Sequence, residues 1–459
     1  MQILINIALV VIGVLLFIFI IFAHELGHFL TAKKSGVQVN EFALGMGPKL
    51  FSFQKGETKY SLRLFPIGGY CAMEGEDESS DNPRAFTNAK VWKRMIIIVA
   101  GATMNIIVGF LLMFVVTVSQ TGYAGTTVTQ FAPYAYTANA GLEVGDRITS
   151  VGGYSVANSR DLLLGIQLLP CEEVDPQSLT VYKQDCCTEG LRYLYTMRDE
   201  LKLIDDDTAN ALYRDVLAPA AQSINKAQTK DEAYTLLCRA VDGYYTAAQA
   251  EKPKDFSYPT IEARDKRLRY VGDVSVIRNG EKTELPDVQF YTYKKSEDQT
   301  AVGIDFYLDP KDKNFFTVIE ETFTGTVSLA KSVWKSFEML VQGRFHLSDM
   351  SGPVGITKAV SDAAAVGLET GFGDAVLNIV FIMALISVNL GIVNMFPFPA
   401  LDGGRFVFLL IEAIIRRPLP RKLEYIVNGI GLALLLVLLV VITGNDIFKL
   451  VTGTFPSMQ

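Results

Sequence analysis

Four apolar stretches constrain this chain more than any other feature. Residues 1–23 carry no charged side chain, nor do residues 95–118 or 375–398, and a fourth apolar run extends from Ile426 to Thr443. Each is close to the ~20 apolar residues that cross a bilayer as a helix. The chain has 459 residues, of which 49% are hydrophobic, and that apolar content is clumped rather than dispersed. Backbone polar groups in lipid must be satisfied within the segment that carries them, so these stretches are expected to be helices. The expected fold is a polytopic α-helical membrane protein with four transmembrane helices. Between the second and third spans, a polar region from about Gly122 to about Gly373 is too large for a simple loop. The first stretch is not read as a signal peptide. It lacks a basic leading region, its apolar run is too long, and no small-residue cleavage site precedes the charged residues.

Lys and Arg set the expected orientation. Lys33 and Lys34 follow the first span, and Lys90, Lys93 and Arg94 precede the second. Arg416, Arg417, Arg421 and Lys422 separate the third and fourth. By the positive-inside rule, residues 33–94 and 405–425 are cytoplasmic, and the N-terminus, the large polar region and the C-terminal tail lie outside. A net charge of −7 argues against a nucleic-acid partner. Of five cysteines, Cys171, Cys186, Cys187 and Cys238 fall in the outer region, where disulfides can form, and Cys71 falls inside. Their pairing stays open; a vicinal Cys186–Cys187 bond would be strained.

The outer region changes character along its length. Residues 140–153 resemble the middle of a PDZ domain, with Gly145-Asp146 leading into a short strand. Residues 274–285 alternate Val and Ile with polar residues around Asn279-Gly280, a pair suited to a type I′ hairpin turn, and resemble the end of such a domain. Residues 171–268 look inserted between these halves. Thr229 and Glu232 have capping-box spacing, and Ala233, Leu236, Leu237, Ala240, Val241 and Tyr244 follow at helical intervals. About four helices are expected there, as a structural or substrate-screening insertion without a catalytic constellation.

The chemistry begins where the first span ends. Ala23 is followed by His24-Glu25-Leu26-Gly27-His28. Residues four apart lie on one helix face, so the two imidazoles can share one metal ion, with Glu25 beside them to take a proton from a metal-bound water. The pattern arises by chance in soluble sequences. At the end of a membrane helix, however, ionisable groups are expensive and usually functional. Hydrolytic zinc commonly takes three protein ligands. His346 is the only other histidine, and it lies in an interfacial stretch on the other side of the membrane. Asp402 is the better candidate. It follows Asn394-Met-Phe-Pro397-Phe-Pro399-Ala-Leu, where the prolines break regular helix and Gly403-Gly404 permit a tight turn.

His-Glu-x-x-His in the first span with Asn-x-x-Pro-x-Pro-x-Leu-Asp-Gly in the third resembles the site-2 protease family, in its bacterial PDZ-bearing, regulator-of-sigma-E protease type. The resemblance covers about 1–170 and 270–445. It implies a Zn²⁺ cofactor held by His24, His28 and Asp402, with Glu25 as general base. It also implies Asn394 as a group that holds substrate or the developing oxyanion. Gly101-Ala-Thr-Met-Asn105 is similar to the family's Gly-x-x-x-Asn motif, which makes Asn105 a further candidate near substrate; ordinary helix packing is the alternative. Strand-like alternation with glycine breaks over 42–75 matches the family's membrane-associated β element, whose open edge could take up a substrate strand. Ser351-Gly352-Pro353-Val354-Gly355-Ile356 also resembles a family segment, without a clear role.

The expected organisation is then an N-terminal catalytic membrane half over 1–120 and an extracytoplasmic PDZ domain over 121–310. A juxtamembrane amphipathic segment over 311–374 and a C-terminal membrane half over 375–459 follow. The expected activity is regulated intramembrane proteolysis in the bacterial cell membrane. Zinc-activated water would cut single-span membrane proteins, such as an anti-sigma factor, within the lipid bilayer. Two other readings stay open. One is a membrane peptidase with a glutamate third ligand, of the prenyl-protein peptidase kind, against which the Leu-Asp-Gly motif argues. The other is a catalytically silent membrane scaffold, against which the intact His-Glu-x-x-His argues.

Overall fold

The structure, a computed structural model, describes residues 2–76, 80–132, 135–174, 178–254, 256–261, 267–296, 299–343, 350–417 and 419–452. The chain divides into two compact units, one of Met1–Thr121 with Asn314–Gln459, the other of Gly122–Lys313. His346 lies outside the described residues.

Helix α1 (Gln2–Ser35) continues past the apolar run and through the His-Glu-x-x-His motif. It stops at Gly36, whose φ of 85° favours glycine; Val37 N–H bonds Ala32 O and Gly36 N–H bonds Lys33 O, a Schellman ending. Strands β1 (Val39–Lys55) and β2 (Thr58–Met73) form an antiparallel sheet in which both strands bend. Ala43 pairs with Tyr70 on one side and Ser61 on the other, so two bent strands give four rows in the order 69–73, 39–44, 58–62, 49–55. The bends fall where Gly45, Gly47 and Gly68 take positive φ. Met46, Phe51, Leu64 and Phe65 are exposed on this sheet. Helix α2 (Val91–Ser119) follows.

The second unit starts with β3 (Tyr123–Phe131), α3 (Tyr136–Asn139), β4 (Arg147–Val151), β5 (Tyr154–Ser155) and α4 (Ser159–Gln167). Strand β6 (Cys171–Val174) leads to helices α5 (Leu179–Asp199), α6 (Asp206–Leu212), α7 (Ala218–Lys226) and α8 (Lys230–Ala248). Strands β7 (Arg267–Arg278), β8 (Glu281–Ser296), β9 (Gln299–Val302) and β10 (Phe306–Lys311) complete it. The sheet runs β10-β3-β4-β7-β8-β9, with β5 on β4 and β6 on β7. The two segments separated in sequence are therefore neighbours, Ile148 opposite Val276. Asn279 and Gly280 both have positive φ, as a type I′ turn requires. Ile148, Val151, Leu162, Ile166, Val274 and Phe290 form the core.

The helices pack around a separate core that includes Met197, Leu217, Leu237 and Tyr244. Ser178, Asp205 and Thr229 cap α5, α6 and α8 with their side chains. A π-turn over Tyr213–Leu217 joins α6 to α7. Glu232 completes its box one residue early, accepting from Gln228 N–H at 2.7 Å. The inserted segment is narrower than 171–268, because Cys171–Val174 pairs with Tyr270–Arg267 as a two-stranded neck. All five cysteines are thiols, and no disulfide staples the helices. Burial and the neighbouring Asp185 push the Cys186 thiol up to about 12, which makes it a small core residue rather than a nucleophile.

The chain returns to the first unit with α9 (Phe315–Val341), α10 (Pro353–Thr370), α11 (Phe372–Asn394), α12 (Asp402–Ile415) and α13 (Arg421–Thr452). Among the described residues, helices α1, α2, α11 and α13 are the 4 that are long and apolar enough to cross a membrane. Helix α11 ends at Asn394, short of the apolar run, because Pro397 and Pro399 lack the N–H that further helix needs. Helix α12 is not among the expected elements: residues 405–425 read only as a cytoplasmic stretch between two spans, and the short apolar run after Gly403-Gly404 is helical.

Candidate metal centre

One turn of α1 separates His24 from His28, and their rings meet edge to face with centroids 4.9 Å apart. The rings need space on the α2 side, and Gly101 provides it. A Cβ there would sit 2.2 Å from His28 Nε2 and 2.9 Å from His24 Cε1. Gly27 serves the same approach from the other helix, since a Cβ on it would meet Ala100 O at 2.4 Å. Asp402 is the first residue of α12. The loop before it folds back so tightly that a Cβ on Gly403 would lie 2.2 Å from Phe396 O, and one on Gly404 2.3 Å from Phe398 O.

These elements bring three acceptor atoms together. His24 Nε2 and His28 Nε2 are 3.3 Å apart, and each is 3.3 Å from Asp402 Oδ2. Two imidazole lone pairs and a carboxylate oxygen repel one another unless a cation lies among them. Bonds of ~2.0–2.1 Å in a tetrahedron put ligand atoms about 3.3–3.4 Å apart. The spacing and the donor set therefore fit a zinc ion, and the buried Asp402 Oδ2 otherwise lacks a hydrogen-bond donor.

The far side of each imidazole is also occupied. His28 Nδ1 donates to Ile97 O at 2.8 Å, which leaves Nε2 as the lone-pair nitrogen. His24 Nδ1 lies 3.2 Å from Asn105 Nδ2. The Asn105 Oδ1 atom is buried without a partner. Turning the amide over satisfies both atoms at once, Nδ1–H donating to Oδ1 and His24 Nε2 left free. Asn105 is fully buried behind His24 and contacts the imidazole. Ser387 Oγ donates to the Asn105 backbone carbonyl at 2.8 Å and ties α11 to the same point.

Glu25 is half-buried, faces His24, His28, Asp402 and Glu76, and makes no hydrogen bond among the described residues. The outermost sheet row passes beside it: a Cβ on Gly69 would lie 3.1 Å from Glu25 Cγ. Asn394 closes α11, and among the described residues its side chain makes no bond to this cluster. Sequence reasoning missed the ion pair between Arg405 and Glu76, which ties the first turn of α12 to the turn that follows β2. An arginine three residues beyond Asp402 was the available signal. At the C-terminal end of α1, hydrogen bonds from Arg84 and Lys33 draw the Glu57 carboxyl down to about 2, clamping the turn between β1 and β2 to the helix.

A family model described as Peptidase family M50 matches residues 12–438. The chain is 30% identical over 442 residues to a putative zinc metalloprotease of Clostridium acetobutylicum, covering 95% of this chain and 97% of that protein. It is 30% identical over 459 residues to the zinc metalloprotease RasP of Bacillus licheniformis, covering 95% and 98%. It is also 27% identical over 454 residues to the regulator of sigma-W protease RasP of Bacillus subtilis, covering 95% and 97%.

Proposed function

The chain belongs to peptidase family M50 and is a zinc metalloprotease; from that premise we propose that it hydrolyses peptide bonds inside the membrane-spanning segments of single-span proteins. The observation that carries this reading is the convergence of three acceptors at 3.3 Å where α1, an apolar helix, meets the start of α12. His24, His28 and Asp402 would hold the zinc. When bound, the metal supplies Lewis-acid polarisation of a carbonyl and acidifies water. Glu25 accepts the proton from that water and passes it to the leaving amine. Asn105 and the Ile97 carbonyl keep the two imidazoles in the ligating tautomer. Asn394 steadies the substrate carbonyl.

A helical substrate hides its peptide bonds in its own hydrogen bonds, so it must be unwound before attack. Among the described residues the row 69–73 is paired only with 39–44, which leaves an edge next to Glu25 where an extended segment can add as a strand. The second unit is read as a PDZ domain because its separated half-motifs pair as β4 and β7, and as extracytoplasmic because the basic residues flank the spans on the other side. It would exclude bulky ectodomains or bind a newly formed C-terminus. One relative's name refers to sigma-W regulation, so an anti-sigma factor is the substrate class proposed here, in a bacterial cell membrane.

The purified chain should hold about one zinc. Asp402→Ala and His28→Ala should each lose it, as measured by metal analysis after dialysis; full retention in Asp402→Ala would remove that ligand. An impermeant thiol label should reach a cysteine placed in 190–248 from outside and not one placed at 416–417. The reverse pattern would invert the topology.

A further inference from the structure

Helix α13 is largely unpacked, with Leu432, Leu436 and Val440 exposed. Its buried and half-buried positions include 424, 428, 431, 435, 438, 442 and 446, a single seam at helical spacing. Both ends of this seam are polar. Asn428 and Asp446 are separated by about five turns, so they share one face.

At one end, Asn428 Oδ1 accepts from Ala400 N–H at 3.2 Å. The partner is an amide donor, which fixes the acceptor as the side-chain oxygen. Ala400 sits two residues before Asp402 with φ of +72°, a left-handed conformation that alanine rarely adopts. Gly431, a turn further along, lies against the same loop; a Cβ there would be 2.4 Å from Pro399 Cβ and 2.6 Å from Pro399 O. At the other end, the fully buried Asp446 accepts from Gly352 N–H at 2.9 Å and Gly355 N–H at 2.8 Å, the first turn of α10. A Cβ on Gly352 would lie 3.1 Å from Asp446 Oδ2. That contact gives the Ser351–Ile356 segment a role that its sequence did not reveal.

We propose that Asn428 is a positioning residue for the metal centre. It holds Ala400 left-handed and so sets where Asp402 points, while Asp446 keeps α13 in register for that contact. The inference rests on Asp402 being a zinc ligand. Helix α13 is thereby a buttress of the ligand loop, with a polar clasp at each end of its apolar seam.

The test uses the full chain in detergent, stripped of metal and titrated with Zn²⁺ and with Co²⁺, whose visible spectrum reports ligand geometry. Asn428→Ala should weaken metal binding about 10-fold or more and shift the Co²⁺ bands. Asn428→Asp, which keeps the acceptor, should recover most of both. Asp446→Ala should act in the same direction and add little to Asn428→Ala. Ile430→Ala, on the exposed face, should change neither. Wild-type affinity and spectrum in Asn428→Ala would overturn the proposal, as would a loss that Asn428→Asp does not recover. If Asn428→Ala does not accumulate, Gly431→Ala displaces the same loop, and wild-type binding there overturns it equally. Intact binding in Asp402→Ala would instead defeat the ligand assignment, which separates the two failures.

Discussion

Asp146, Asp161 and Asp305 in the second unit and Asp402 in the first are handled in opposite ways. The three in the second unit face donors, as does the buried Asp446 of the first. Asp146 takes the Arg278 guanidinium at 2.7 Å and the Glu143 amide at 2.8 Å. Asp161 takes the Ala157 amide at 3.0 Å, and Asp305 takes the Thr137 hydroxyl at 2.6 Å. In the membrane unit, Asp402 faces two imidazole nitrogens whose other ring atoms are already engaged. A carboxylate matched to donors holds a fold together. A carboxylate matched to other acceptors marks a place for a cation. With both imidazoles neutral, acceptor–acceptor contact has no stabilising reading of its own, and the donor set marks a metal site rather than a structural pair.

The contrast can be broken most sharply at Glu25. Glu25→Gln should keep its zinc and lose about 10²–10⁴-fold in turnover of a membrane-peptide substrate, as expected when a general base is removed. Mass spectrometry of membrane peptides from cells carrying the two forms would identify the products; normal turnover would end the assignment. A smaller effect should follow at Asn105. Asn105→Leu should weaken zinc about 10–100-fold by releasing the His24 tautomer, whereas Asn105→Asp keeps the acceptor and should stay near wild type. If Leu and Asp behave alike in metal titrations, Asn105 is only a packing residue.

Arg278→Ala should do the reverse and leave metal content untouched. It should destabilise the β4–β7 ladder by about 2 kcal/mol, read as hydrogen exchange in the full chain. Burial raises the Asp146 carboxyl, but Arg278 and the Glu143 amide outweigh it and hold it below the usual range. Stability from this pair is therefore present above the unfolded Asp value of about 3.9 and fades as pH falls through the lowered native value. The gap between wild type and Arg278→Ala should close in acid; a constant gap would show that the pair contributes packing rather than charge. Smallest of all should be the effect of removing the inserted helices. Joining Val174 to Arg267 through a short Gly/Ser linker keeps the neck, and loop closure depends weakly on length. Metal content and cleavage of a short, ectodomain-free substrate should be unchanged, while discrimination against long ectodomains relaxes. A folded deletion that cannot cut the short substrate would give the insertion a part in presentation.

Much of the site was legible because its signals are local. Each apolar run became a long helix, and Asn279-Gly280 turned a hairpin. The parts that stayed hidden depend on distant contacts. Nothing near Asn428 announces a bond to Ala400, and nothing near Asp446 announces a bond to Gly352. Helix α12 was hidden because its 14 residues are too short to read as a span and follow a proline-broken loop. The neck was placed inside the insertion because strand pairing between Cys171 and Tyr270 is invisible to periodicity.

The sequence by itself determined that His24 and His28 stand one turn apart on an apolar helix, with Glu25 beside them. That follows from the helical repeat, which the backbone's own hydrogen bonds impose whatever surrounds it. Only the tertiary structure decided that Asp402 arrives at 3.3 Å from both nitrogens. How closely remote segments approach depends on side-chain volume at their contacts, and here it depends on Gly101, Gly403, Gly404 and Gly431, where no Cβ would fit.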